Sequence, residues 1–505
     1  MDDAEAEDIQ RAIHLSLSLQ GEPQDEPVAG PSNCPPPPIS TIPPPPAPLP
    51  LSKSTPQEVH VDSLSRDYDA PSLTQLQAML GDPQASFRSP AQYFLYKKLL
   101  ARDCHLVSVS ATGSGKTLPF QLAMKSWTKD VRGIMVLPYQ ILHGDMKRRM
   151  VEVGLSCRKW TEANPTPMEQ VVTISIESFC SPACLGWLQD VARSGRLGTI
   201  MFDEAHGLVE DVRFREAYGT SIRRLLEIRG CTIMFCSATL SPHFMQDFWR
   251  HLKIDFRPED SILTVRSPTQ RPSIFYQVLN LGLGTPPPWK NEVAHSEWQD
   301  KWIQASVKII KAAGSYLGPD ERGLVFFVNQ DDCHRWGNAL QCPYITGKVD
   351  NAERERNFAN WYSGKSKVLC LNKAGYYGFD FPRARFAIMV GAPMCMTDYM
   401  QSSGRIGRDG VPSMCLTLIP HLGKEPSPQD QENFSGRKAI RQMVCRGMQC
   451  LRLIPSQHMD GRDETCMELY ERDGNTVICS ECFYELDVVT AEELMSEWTK
   501  PWSKH

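Results

Sequence analysis

The chain of 505 residues has no uninterrupted apolar stretch of about 18 residues, the length a membrane-spanning helix needs. Its start, MDDAEAED, lacks the positive region and apolar run of a secretory signal. Basic charge is not in excess either: 54 Lys and Arg stand against 59 Asp and Glu, a net charge of −5. Residues 1–30 hold eight acids and one arginine, so the remainder carries +2. A histone-like binder is excluded, and a polyanionic partner has to be held in a local groove. No compact Lys/Arg run is present. Cysteine, by contrast, is plentiful. The 17 thiols have no secretory context and read as reduced, with a separate cluster of five between Cys445 and Cys482. With 41% hydrophobic and 22% charged residues, most of the chain can bury a core.

Residues 1–20 read as one amphipathic helix and 21–70 as a disordered linker. Fourteen prolines between Pro23 and Pro56 favour extended polyproline II there. From 71 the character changes. The runs LVSVS (106–110), GIMVLP (133–138), VVTISI (171–176), GTIMFD (198–203) and CTIMFC (231–236) read as buried parallel strands with helices between them. A second series follows: GLVFFV (323–328), PYITG (343–347), KVLCL (367–371), FAIMVG (386–391) and MCLTLI (414–419). The fold class is therefore α/β, with two tandem parallel-sheet domains at 71–265 and 266–425. A Cys-rich region at 426–505 follows.

The first strand runs into ATGSGKT, 111–117. In the loop Thr112, Gly113, Ser114, Gly115, Lys116 and Thr117, the glycines let backbone N–H groups wrap phosphate oxygens. Lys116 reaches the β and γ phosphates, Thr117 offers a hydroxyl to Mg²⁺, and the following helix points its positive end at the anion. The strict pattern has Gly where this chain has Ser110. The fourth strand ends in DEAH, 203–206, which places Asp203 to support the metal and Glu204 to deprotonate a water. The triplet SAT, 237–239, follows the fifth strand, and its hydroxyls are expected to hydrogen-bond the DEAH carboxylates. In QSSGRIGRDG, 401–410, Arg405 and Arg408 share a face, and one of them can act as an arginine finger.

Cys450, Cys466 and the pair Cys479 and Cys482 in CSEC suit a tetrahedral Zn²⁺ site, with Cys445 the competitor for Cys450 and buried free thiols the alternative.

The order ATGSGKT, DEAH, SAT, QSSGRIGRDG resembles the superfamily 2 helicases. GRIGRDG followed by a Cys cluster resembles their RecQ-like group, over residues 75–425 and on to 482. The resemblance implies two RecA-like domains, ATP and Mg²⁺ as ligands, a four-Cys zinc subdomain, DNA as substrate, 3′ to 5′ movement and a nuclear location. It further implies that Gln401, Arg405 and Arg408 face the nucleotide across the cleft. FRSPAQ, 87–92, is similar to the adenine-reading motif, with Arg88 and Gln92 as its contacts. NKAGYYGFD, 372–380, matches a Gly-rich loop at Gly378 and Asp380, with Tyr376 and Asn372 departing from it. Segment 207–218 keeps Phe214, Arg215 and Tyr218 but lacks the family's Trp and His, and Ser402 replaces an acid. These departures leave two alternatives open, a translocase that does not unwind and a degenerate nucleic-acid and ubiquitin scaffold. An RNA substrate also stays open. At the N-terminus, Ile9, Ala12, Ile13 and Ser16 behind an acidic entry resemble a ubiquitin-interacting motif, which implies ubiquitin as a partner.

Overall fold

The computed structural model describes residues 57–138, 142–210, 220–223, 231–252, 261–372, 381–427, 429–430, 432, 435–445 and 449–485. The expected N-terminal helix, most of the expected linker, Phe214, Arg215, Tyr218, Tyr376, Gly378 and Asp380 lie outside these residues.

Two parallel sheets form the scaffold. The first contains β1 (Gln57–His60), β2 (His105–Val109), β3 (Arg132–Leu137), β4 (Cys157–Lys159), β5 (Val171–Ser175), β6 (Leu197–Phe202), β7 (Thr232–Ser237) and β8 (Ile262–Arg266). Their order is β1-β8-β2-β7-β6-β3-β5-β4. The second contains β9 (Ile274–Asn280), β10 (Arg322–Phe327), β11 (Tyr344–Ile345), β12 (Val368–Asn372), β13 (Ala384–Val390) and β14 (Ser413–Ile419), ordered β11-β12-β10-β13-β14-β9. The central strands β3, β5, β6, β7, β10, β13 and β14 are buried along their whole length, as parallel strands covered on both faces must be. Aromatic side chains fill the first core, where Phe202 stacks on Phe235 at 5.0 Å. In the second, Gly323 leaves room for Phe386, whose ring a Cβ would meet at 2.0 Å.

All ten expected strands are present, and β1, β4, β8 and β9 join them. Within the segment expected as linker, β1 pairs with β8 from Gln57 to His60, and the helix Ala70–Leu80, capped by Asp69, begins at that segment's expected end. QEVH has three polar residues of four, as an exposed edge strand can, and so carries no apolar run to betray it. The domain boundary at 265/266 falls inside β8, whose last residue is Arg266.

Beyond the second sheet come the helices Arg437–Cys445, Leu453–Asp460, Cys466–Asp473 and Ser480–Glu485. They pack on the chain between the sheets. Arg452 is fully buried, bonds the carbonyls of Arg271, Pro272, Ile274 and Val477, and lies 4.8 Å over the Tyr276 ring. Asp460 accepts from the Thr269 amide at 3.1 Å, and Gln270 donates to the Arg452 carbonyl. Among the described residues no helix is long and apolar enough to cross a membrane.

Candidate nucleotide site and cysteine cluster

The carboxyl ends of β2, β6 and β7 converge, the usual place for a ligand in an open parallel sheet. The loop after β2 turns through Gly113 (φ +81°) and Gly115 (φ +80°) into the helix Leu118–Ser126. A Cβ at Gly115 would lie 2.5 Å from Gln92 Nε2, so only glycine lets that amide approach. Gln92 donates to the Ser114 carbonyl at 3.0 Å and accepts from the Arg88 amide at 2.9 Å. The segment 87–92 is thereby tied to the loop after β2. Lys116 Nζ donates to the carbonyls of Ser110 (3.1 Å) and Ala111 (3.0 Å). Burial lowers its pKa, while Glu204 and Asp203 pull the other way.

Asp203 and Glu204 follow β6. Burial, then the neighbouring Glu204, raises the Asp203 carboxyl to about 6. Burial also works against ionisation of Glu204, but His206, Lys116, Arg405 and Gln401 outweigh it and hold this carboxyl below its ordinary value. Glu204 sits at φ +47°, a conformation costly for a residue with a Cβ and kept at sites where surrounding contacts enforce it. The SAT hydroxyls take a different partner from the one expected. Ser237 Oγ pairs with His206 Nδ1 at 3.0 Å, and the same imidazole nitrogen lies 3.4 Å from Glu204 Oε2. The hydroxyl thus reaches the acid through the imidazole, because the side chain of His206 is folded back onto β7.

The helix Met396–Ser403 brings the second lobe to this point. Gln401 Nε2 donates to Glu204 Oε2 at 3.4 Å. Arg408 packs on Gly113, where a Cβ would stand 3.3 Å from Arg408 Cγ, and Gly404 packs on Thr112. Ser402, in place of the family's acid, is buried and donates to the Asp398 carbonyl. Sequence reasoning missed Arg271, which bonds the carbonyls of Gly404 and Ile406, and Arg385, which grips Asp409 with two hydrogen bonds. Both brace the arginine loop, and neither lies in a motif that signals it.

A cavity of about 660 Å³ opens beside the loop, lined by Ser114, Lys116, Arg88 and Gln92 among others. That volume suits a nucleotide. Thr112 Oγ1 and Gln401 Oε1 are buried without a hydrogen-bond partner, as polar atoms awaiting a ligand would be. The residues present therefore fit a nucleoside triphosphate with its metal. Lys116, Thr117, Asp203, Glu204, Arg405, Gln401 and Arg408 are the groups that would surround it, with Arg88 and Gln92 at the cavity wall.

The Sγ atoms of Cys450, Cys466, Cys479 and Cys482 all lie within 4.8 Å of one another, and all four residues are buried. Tetrahedral thiolates around zinc sit about 3.8 Å apart, given a bond of about 2.3 Å. Amides of Leu451, Cys466 and Cys479 donate to sulfurs of the set at 3.1–3.3 Å, which favours thiolate. The cluster is compatible with a zinc site. It takes Cys450 and leaves out Cys445, which is half-buried beside Gly423.

A DEAD/DEAH box helicase domain matches residues 89–248, and a helicase conserved C-terminal domain matches 307–410. The RecQ-like DNA helicase blm-1 of Caenorhabditis elegans is 24% identical over 358 residues, 66% of this chain and 33% of its own. The ATP-dependent DNA helicase Q1 of Mus musculus is 24% identical over 400 residues, 74% of this chain and 57% of its own. The chain thus spans between a third and about three-fifths of the length of these curated relatives. The crystal structure of the DUF1998 helicase MrfA bound to DNA shares the fold, with a TM-score of 0.54, 16% identity, and coverage of 69% of this chain and 51% of that one. Both helicase domains thus occur in order on one chain, which is similar to RecQ-like DNA helicases.

Proposed function

We propose that the chain is an ATP-dependent DNA helicase that moves 3′ to 5′ along a single strand. The reading is carried by one observation: Gln401 and Arg408 of the second lobe stand at Glu204 and Gly113 of the first. Lys116 and the loop amides bind the β and γ phosphates. Thr117 and Asp203 would hold Mg²⁺, which would neutralise charge on the phosphates. Glu204, held ionised, takes a proton from the attacking water, while Arg405 and Arg408 offset the charge that builds on the transferred group. Once the phosphates separate, the charge holding the lobes together is lost. Repeated closure and opening then steps single-stranded DNA across the top of both sheets. The grip is on phosphates and weakens with salt. The four cysteines hold a structural Zn²⁺, and the acidic N-terminal helix binds ubiquitin on partner proteins, in the nucleus. Steady-state ATPase with and without single-stranded DNA, on wild type and Lys116→Ala, tests the motor. Turnover unaffected by the substitution would sink it.

A second reading, ATP-driven translocation without unwinding, is favoured by the absence of Trp and His from 207–218. DNA-stimulated turnover without strand displacement would select it.

A further inference from the structure

The cavity beside the phosphate loop is not built by the two lobes alone. Its lining includes Arg472, from the last turn of the helix Cys466–Asp473 in the cysteine module. Arg66, Arg88, Lys116 and Arg472 line it against a single acid, Asp62. That acid is itself engaged by Arg462 of the same module at 2.6 Å. Among the described lining residues the one acid is thus paired with Arg462, Arg472 is shared with Glu464, and the surplus of cations around one space suits a polyanionic occupant.

The module is fixed in place at both ends of this wall. Arg462 bonds Asp62 and His60, the latter on the edge strand β1. Asp460 and Arg452 hold the chain between the sheets. The helix that carries Arg472 begins at Cys466, one of the four clustered sulfurs, and a capping box between Thr465 and Glu468 secures its first turn. Arg472 follows six residues later, about 9 Å along the helix axis. Its guanidinium is steadied by buried Glu464 and keeps further donors, since a guanidinium has five.

We propose that Arg472 is a nucleotide-binding residue, supplied to the ATP cavity by the cysteine module. This rests on the nucleotide reading of the cavity given above. The module then does more than brace the fold. Nucleotide affinity depends on its being docked, and a bound triphosphate in turn holds it docked, because such coupling is reciprocal.

The test is equilibrium binding of a fluorescent ATP analogue to the full chain, with metal content and melting temperature measured on each variant. Arg472→Ala is expected to raise Kd about tenfold, the loss of one charge-assisted hydrogen bond. Arg472→Lys is expected to fall between, since it keeps the charge and loses the fork. Lys116→Ala serves as the reference for the site itself. If the wild-type chain binds no analogue, the nucleotide reading falls. If wild type binds, Lys116→Ala does not, and Arg472→Ala binds within about twofold of wild type, the inference alone is overturned. Should Arg472→Ala lose its metal, Arg472→Gln decides in its place: tenfold weaker binding with metal retained supports the proposal, and unchanged binding removes it.

Discussion

Gln401 on the second lobe donates to the carboxylate of Glu204 on the first, across 3.4 Å. This contact spans 197 positions of sequence and joins the proposed general base to the second lobe. Glu204→Gln keeps the shape and removes the base. ATP turnover is expected to fall by about 10²–10⁴, with nucleotide affinity retained. Single-turnover hydrolysis beside equilibrium binding measures both, and unchanged turnover would remove Glu204 from the chemistry.

Arg408 lies on Gly113, so its charge sits over the phosphate loop. Arg408→Ala is expected to cost about 10³ in turnover while leaving Kd for ATP within a few-fold. An equal loss in Kd and turnover would instead make it a ground-state contact.

Removing one sulfur of the cluster leaves three ligands around a dication. Cys479→Ser is expected to abolish stoichiometric zinc and lower the melting temperature, whereas Cys445→Ser leaves both unchanged. Metal analysis of the purified full chain separates them. Zinc retained in Cys479→Ser would contradict the four-thiolate site.

Asp203 has its carboxyl raised from 3.8 to about 6, first by burial. The folded chain therefore binds this proton more tightly than the unfolded chain does. Its contribution to stability is full below about pH 4 and is lost as pH rises through 6. Asp203→Asn, which mimics the protonated form, is expected to melt above wild type at pH 7.5 and to converge with it near pH 4. Melting curves taken without nucleotide or Mg²⁺ over this range check it, and a gap that widens towards acid would reverse the sign of the argument.

Much of this was legible from local pattern. Strands buried on both faces need continuous apolar runs, so GTIMFD and CTIMFC announced themselves. The phosphate loop was legible too, because Gly113 and Gly115 must take positive φ in it. β4 was not: CRK puts two charged residues at a sheet edge and is only three residues long. SAT was read with the wrong partner, since nothing local says that His206 turns back onto Ser237.

By itself the sequence determined two parallel sheets, a loop able to wrap phosphate and a set of thiols spaced for a metal, all set by short-range periodicity and backbone freedom. The choice of Cys450 over Cys445 was decided only by tertiary packing, because spacing along the chain does not say which sulfur reaches the other three. The same holds for Arg472 at the nucleotide cavity and for Arg452 beneath the joint between the sheets. Both belong to a module that follows the sheets in sequence yet docks beside the first of them. Apolar packing and buried polar bonds between residues far apart in sequence fix such contacts.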